Sequence, residues 1–108
     1  MNEKNSVQLI GYVGQDLKEA KTARGHRVAI RMATHSYIIR EPGDKLHRTT
    51  WHNVVAWDEQ AAFAARNFVK GSKIMVEGRI VYGRFVDKGG QPHSTTFIRA
   101  YSLSNLDR

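Results

Sequence analysis

Residues 49–57, Thr-Thr-Trp-His-Asn-Val-Val-Ala-Trp, decide the fold of this chain. Their composition and alternation predict a β-strand in which successive side chains point to opposite faces. Trp51 and Trp57 are six residues apart and therefore share one face, whereas Val54 and Ala56 share the other. Two tryptophans are too large for the interior of a small barrel. We therefore expect Val54 and Ala56 to face the core and both tryptophans to face outward.

A helix is predicted directly after this strand. Asp58 has the side chain of a good N-cap, and apolar residues recur at helical spacing up to Val69. Gly71 stands where a glycine commonly terminates a helix. The pattern predicts a helix over residues 59–70.

Four further segments alternate as strands do, at residues 7–13, 28–33, 74–80 and 97–103. Gly11 and Gly14 predict a bulge or a sharp bend in and after the first of them. The connections are predicted as a polar turn over 15–25, a long exposed loop over 38–48, and a hairpin over 82–92 with Gly89-Gly90 at its tip.

The resulting order, three strands, one helix and two strands, is typical of an OB-fold, an all-β, five-stranded Greek-key barrel. We expect one such domain over residues 1–108. OB-folds commonly present oligonucleotides to the face of strands 2 and 3 and to the loops 1–2 and 4–5, but a fold alone does not establish a function.

The charge balance is the first indication of a partner. The chain contains 17 Lys and Arg against 10 Asp and Glu, for a net charge of +7. This excess favours nucleic acid or an anionic membrane, although a basic soluble protein without such a partner has the same composition. No apolar run approaches the roughly 18 residues of a membrane span, so no membrane partner is expected. The absence of cysteine and of a signal-peptide pattern suits the cytoplasm.

Aromatic residues interleaved with cations are the main candidate site. Stacking of bases on rings, combined with neutralisation of phosphates, is how single strands are bound without sequence preference. The alternatives are tryptophans that cover the helix or a subunit interface, and loops whose aromatic residues merely anchor them. The stacking candidates are Trp51, Trp57, Phe85 and Tyr37, and the phosphate candidates are Arg40, Arg48, Arg79, Arg84 and Lys88.

Catalysis is not expected. His47 and His52 lie five apart on a strand and so point to opposite faces, which makes them a poor metal pair. The sequence has no glycine-rich phosphate loop, nucleophile motif or convincing carboxylate pair. We therefore predict no metal and no cofactor.

Several segments together resemble the DNA-binding domain of bacterial single-stranded DNA-binding proteins, the SSB family. Their order and spacing over residues 5–103 carry the resemblance more than any single motif. The matching segments are Asn5-Ser6-Val7, Val13-Gly14-Gln15-Asp16, Thr50-Trp51-His52-Asn53-Val54-Val55, Lys70-Gly71-Ser72, Val76-Glu77-Gly78 and Thr95-Thr96.

The resemblance implies a homotetramer that wraps and protects single-stranded DNA in replication, recombination and repair, near the nucleoid. It implies stacking roles for Trp51, Trp57 and Phe85. It implies one for Tyr37 only after a one-residue gap, which leaves Ile38 as an alternative. It places His52 at a subunit interface. The family's acidic C-terminal tip has no counterpart before Arg108, so this chain is either a tailless member or a shortened one, and partners recruited by that tip are not expected.

Two other functions stay open at this point. The primosomal replication-restart protein that resembles this family is also a tailless OB-fold, and it acts as a dimer on DNA and on partner proteins. The tryptophan pair and the Trp-His-x-Val-Val segment favour the SSB family itself. RNA binding is the third possibility, because other OB-folds bind RNA.

Overall fold

The computed structural model describes residues 3–39 and 45–107. Within these residues the chain forms six strands and one helix, and the helix lies between the fourth and fifth strands. The elements are β1 (Val7–Val13), β2 (Lys18–Thr22), β3 (Gly25–Ile39), β4 (Lys45–Trp57), α1 (Asp58–Asn67), β5 (Lys73–Val86) and β6 (Pro92–Asn105).

The strands form one sheet that closes into a barrel. Their order is β1-β5-β6-β4-β3-β2, and β1 also pairs with β3 to close the ring. All pairings are antiparallel except that of β4 with β6, where Val54 lies opposite Ile98. Gly11 lies near the point of closure, where a Cβ atom would sit 2.1 Å from the carbonyl oxygen of Ala33. This topology is the OB-fold that the sequence predicts.

Alternating residues of the strands fill the barrel. Val54 and Ala56 are buried as the alternation predicts, and Val28, Ile30 and Met32 face them from β3. Their burial fixes which face of each strand points outward, because neighbouring side chains on a strand point to opposite sides. The remaining buried apolar residues are Val13, Ala33, Ala61, Ala64, Phe68, Ile74, Val76, Ile98, Ala100 and Leu103.

The helix differs from the prediction at both ends. Asp58 has a φ of 50° and does not cap α1; its Oδ1 accepts the backbone N–H of His26 instead. The helix ends at Asn67 because Phe68 is extended and enters the core. Gly71 therefore does not terminate the helix. With a φ of 94°, it forms the turn that leads into β5, and its N–H donates to the carbonyl of Val13.

The predicted connections are shorter than expected because strands extend into them. The polar turn over 15–25 contains β2, a sixth strand that pairs with β3 from Lys18 opposite Ala29 to Thr22 opposite Gly25. The predicted loop over 38–48 is largely the end of a β3–β4 hairpin, paired as far as Ile39 and Lys45. Likewise β5 and β6 remain paired to Val86 and Pro92, with Gly89-Gly90 at the tip as predicted.

Candidate nucleic-acid interface

Two hairpins, β3–β4 and β5–β6, border a groove on the outer face of the barrel. Its main part has a volume of about 440 Å³ and is lined from β3, β4 and β6, with Lys18 of β2 at its margin. An adjoining part of about 300 Å³ shares Trp57 and Phe97 with it. The cations lining the two parts are Lys18, Arg24, Arg27, Arg31, Arg79 and Arg99.

Negative charge is nearly absent from the lining of this groove. Asp58 is the one carboxylate among the described residues that line either part, and its Oδ1 is engaged by the backbone N–H of His26 at 3.2 Å. Six cations therefore face a groove with little compensating charge. Such a surface attracts a polyanion and concentrates it near the rings of Trp57 and Phe97.

Trp51 lies on β4 directly opposite Ala33, on the outward face that the sequence predicts, and its side chain is 48% exposed. The guanidinium carbon of Arg31 is 5.1 Å from the centre of its ring, within the range of a cation–π interaction. The ring edge passes over Gly14, where a Cβ atom would be only 2.2 Å from Cζ3. Arg31 and the bare backbone of Gly14 thus hold a half-exposed ring in a defined place.

Trp57 lies on the same face of β4, opposite Arg27 of β3. It is partly buried and lines both parts of the groove together with Phe97. The two rings come from strands that are adjacent in the sheet, and arginines flank them. Trp57 therefore lies in the groove itself, whereas Trp51 lines a neighbouring cleft that shares Phe97 with it.

Phe85 lies on β5 and is 53% exposed. The imidazole of His93 stacks on one face of its ring, at 5.0 Å between centres and 16° between planes. His93 is held in turn by a 2.8 Å hydrogen bond between its Nε2 and Oδ2 of Asp87. This bond lowers the pKa of Asp87, and the N–H groups of Gln91 and Gly89, which donate to its Oδ1, contribute as well. The hairpin tip thus braces one face of Phe85 and leaves the other open.

Tyr37 is 59% exposed and lies opposite His47, in a tilted ring contact with centres 5.2 Å apart. His47 and Trp51 are four residues apart on β4, so Tyr37 shares the outward face with Trp51. The alternative for this position, Ile38, has its backbone in β3, but its side chain lies outside the described residues.

The predicted phosphate contacts are distributed over several surfaces. Arg79 lines the groove. Arg48 lies opposite Ser36 and Arg84 opposite Ser94, and alternation places both on strand faces that point away from Trp51 and Phe85. Lys88 belongs to the β5–β6 tip, and Arg40 lies outside the described residues.

Several residues that line the groove were not predicted from the sequence. Arg27 and Arg31 lie opposite Trp57 and Asn53 across the β3–β4 pair, and Phe97 and Arg99 follow the same outward alternation on β6. The alternation carried this information, because Arg27 and Arg31 alternate in β3 with Val28, Ile30 and Met32, which are buried. A comparison of which cations share the outward face of each predicted strand would have identified Arg27 and Arg31.

His52 occupies the inward-facing parity of β4 beyond the packed core. Its Nε2 is 2.9 Å from the hydroxyl oxygen of Thr34, and partial burial lowers the pKa of its imidazole. It borders a cleft between β4 and the β5–β6 pair, with Ile80 and Thr96 on the far side.

Neither a metal cluster nor a membrane span occurs in the described parts of the chain. Residues 3–39 and 45–107 contain no group of three or more His, Cys, Asp or Glu side chains placed to hold a metal ion. In the same residues, no helix has the length and apolar character to cross a bilayer.

The closed five-strand barrel, with an extra strand at β2 and one helix between β4 and β5, defines an OB-fold protein whose outer groove is basic and lined by aromatic rings. The model of the single-strand binding protein family matches residues 4–106. The chain belongs to this family.

Individual relatives agree with this assignment. The chain is 33% identical over 97 residues to the mitochondrial single-stranded DNA-binding protein of Drosophila melanogaster, an alignment that covers 89% of this chain and 66% of the relative. It is 35% identical over 77 residues to single-stranded DNA-binding protein 1 of Chlorobaculum tepidum, covering 70% of this chain and 48% of that protein. The chain thus spans about half to two thirds of the length of these relatives.

A solved structure shows the same architecture. The Plasmodium falciparum SSB, determined in complex with single-stranded DNA, superposes with a TM-score of 0.82 at 26% identity. The match covers 99% of this chain and 100% of that one.

Proposed function

We propose that this protein binds single-stranded DNA without reading its sequence, and thereby coats and protects it during replication, recombination and repair. The observation that carries the proposal is the groove, where Trp57 and Phe97 lie among six cations. The half-exposed rings of Trp51 and Phe85 add to it from the outward faces of β4 and β5. Membership of the family and the DNA-bound relative support it.

The chemistry of the groove suits an unpaired strand. Bases of a single strand can turn onto exposed rings, and each base stacked contributes about 1–3 kcal/mol irrespective of its identity. Lys and Arg side chains neutralise phosphates, so binding weakens as salt rises. In a duplex the bases are already stacked on one another, which leaves the rings without a partner. We assign the stacking role to Trp51, Trp57, Phe85 and Tyr37.

We propose phosphate contacts for the groove arginines Arg27, Arg31, Arg79 and Arg99, and for Arg40, Arg48, Arg84 and Lys88 as the sequence predicts. The site involves no metal, cofactor or catalytic step. As a DNA-coating protein, the chain acts in the cytoplasm at the nucleoid.

A titration with matched substrates tests this function. Quenching of tryptophan fluorescence is followed as an oligo(dT) strand or a duplex of equal length is added. We expect saturable quenching by the single strand and binding at least about 30-fold weaker for the duplex, because two stacked bases alone are worth about 2–6 kcal/mol. Equal affinity for the two would refute the proposal. Poly(U) in place of poly(dT) tests the RNA alternative.

We also propose that the protein is a homo-oligomer, a tetramer rather than a dimer, with His52 at a contact between subunits. Large apolar side chains outside the groove support an interface, since Ile10, Tyr82 and Tyr101 are all more than half exposed. Light scattering of the intact chain gives the number of subunits. His52→Asp should lower this number, whereas Arg66→Asp, on the last turn of α1, should leave it unchanged. Two subunits would favour the replication-restart type of protein, and a monomer would contradict both.

A further inference from the structure

Two stacked histidines lie on the outward face of the β3–β4 hairpin. The rings of His35 and His47 are 5.1 Å apart with 20° between their planes. Tyr12 of β1 continues the row on one side, 6.2 Å from His35, and Tyr37 continues it on the other, 5.2 Å from His47. We call these four rings the histidine ridge. Because His47 has the same parity on β4 as Trp51, the ridge continues the face that carries that tryptophan.

No carboxylate accompanies this pair within its own strands. β3 and β4, the two strands of the hairpin, contain neither Asp nor Glu, and β1, which supplies Tyr12, contains no charged residue. The groups that face the two imidazoles are the rings of Tyr12 and Tyr37 and the hydroxyl of Thr49, which is 3.2 Å from Nδ1 of His35.

The charged side chains described on the strands of this hairpin are cationic. Arg31 lies at Trp51 on the outward face, and Arg48 has the opposite parity on β4. Glu41 and Asp44 in the hairpin tip lie outside the described residues. A proton taken up by either imidazole therefore adds to positive charge already present on this hairpin, and stacked cations repel each other unless an anion lies beside them.

The other histidines are placed differently. His26 is paired with Glu19 and His93 with Asp87, each at 2.8 Å, so both already have an anionic partner within the protein. His52 lies on the opposite face of β4, where burial disfavours its charged form. Within residues 3–39 and 45–107, His35 and His47 are the histidines that are exposed, stacked on each other and without a carboxylate partner.

We propose that the histidine ridge extends the site for the single strand beyond Tyr37, and that His35 and His47 take up protons as a phosphate of the DNA binds beside them. This inference rests on the proposed function. The tyrosines at either end supply faces for bases, and the imidazoles supply charge that appears when the phosphate is present. Because imidazole is the side chain that gains a proton nearest to neutral pH, we expect tighter DNA binding at about pH 6 than at about pH 8.

The experiment is a fluorescence titration with oligo(dT) at about pH 8 and about pH 6 at constant ionic strength. The wild type and the double variant His35→Gln/His47→Gln are compared, with His26→Gln as the matched control. Each proton taken up on binding changes the affinity about 10-fold per pH unit where it is fully coupled. We expect the wild type and the control to bind at least about 10-fold more tightly at the lower pH, and the double variant to change less than about 3-fold.

Two further readouts identify the cause. In calorimetry at about pH 6.5, the difference between buffers of unequal ionisation enthalpy gives the number of protons taken up, which should fall to near zero in the double variant. The slope of log affinity against log salt should steepen by up to about 1.4 at the lower pH in the wild type, since each single-strand phosphate neutralised contributes about 0.7.

The outcomes separate this inference from the proposed function. Tight binding of oligo(dT) with no pH dependence, or a pH dependence that survives in the double variant, overturns the ridge but leaves DNA binding intact. A pH dependence lost only on Glu41→Gln/Asp44→Asn also overturns it, because the protons would then belong to the hairpin tip. Failure to bind oligo(dT) at either pH would refute the proposed function itself.

Discussion

Gly14 determines where the ring of Trp51 can lie, and this makes Gly14→Ala a specific test of the stacking role. A Cβ atom on residue 14 would sit 2.2 Å from Cζ3 and 2.6 Å from Cη2 of that ring. Carbon atoms pack at about 3.5–4.0 Å, so the ring has to move by at least about 1.3 Å. The backbone of Gly14 does not require glycine, since its φ is outside the positive range, and Trp51 is half exposed and free to shift outward.

The expected loss follows from the displacement. A gap of about 0.5–1 Å already removes a quarter to a half of a dispersion contact, and a base stacked on an aromatic ring is worth about 1–3 kcal/mol. Misplacing the ring should therefore weaken binding by about 0.3–1.5 kcal/mol, or about 1.5- to 13-fold in the dissociation constant. Trp51→Ala, which removes the ring, should cost the full stacking energy.

A double-mutant cycle tests the cause of this loss. Affinity for oligo(dT) is measured by anisotropy of a labelled strand for the wild type, Gly14→Ala, Trp51→Ala and the double variant. The cost of Gly14→Ala should vanish in the Trp51→Ala background, since the alanine then has no ring to displace. Gly89→Ala, whose Cβ would have its nearest neighbour at 3.5 Å, is the matched control. An equal cost in both backgrounds would refute the assignment of Trp51 as a stacking residue held by Gly14.

Three further substitutions test other parts of the site. Phe85→Ala should weaken oligo(dT) binding by about 1–3 kcal/mol, or about 5- to 150-fold. Tyr82→Ala, on the opposite face of β5, should change the affinity less than about 2-fold. Equal losses would contradict the assignment of the Phe85 face of β5 to DNA binding. Arg31→Gln should flatten the salt dependence of binding by about 0.7 in log–log slope, and Arg66→Gln should leave that slope unchanged. His52→Asn should reduce the loss of thermal stability, followed by circular dichroism, between about pH 7.5 and about pH 5.5. Burial lowers the pKa of His52 in the folded chain, so as the pH falls the unfolded chain takes up a proton at this histidine before the folded chain does. The folded chain therefore loses stability as the pH falls through the ordinary titration range of imidazole. The same loss of stability in the wild type and in His52→Asn would contradict this cause.

The barrel was predictable from the sequence because its strands alternate with one face in the core. Val54 and Ala56 are both buried and the side chain of Trp51 is half exposed, as the alternation predicts. β2 was missed because Lys18–Thr22, Lys-Glu-Ala-Lys-Thr, has no buried face and is a strand only through its pairing with β3. The arms of both long hairpins were predicted as loops for the same reason, since much of their surface is solvent-exposed on both sides.

The helix ends depended on tertiary structure that local signals do not contain. Asp58 looks like an N-cap, but its carboxylate binds the backbone of His26, which is distant in sequence. Gly71 looks like a helix terminator, but burial of Phe68 ends the helix earlier.

The candidate rings were found from the sequence, whereas much of the basic groove was not. The rings Trp51, Trp57 and Phe85 were identified as aromatic residues interleaved with cations along the sequence. The arginines Arg27, Arg31 and Arg99 become informative only when strand pairing places them beside those rings. The contact between His35 and His47 likewise depends on the register of β3 against β4, which the sequence does not specify.

The central claim, that rings in a basic groove bind DNA by stacking on its bases, is tested most directly by removing the bases. Affinity is measured for an oligo(dT) strand and for an abasic strand of the same length and phosphate charge, at one salt concentration. Four stacked bases at about 1–3 kcal/mol each predict an abasic strand bound at least about 800-fold more weakly. Equal affinities would mean that phosphate neutralisation alone accounts for binding, and would contradict the stacking account.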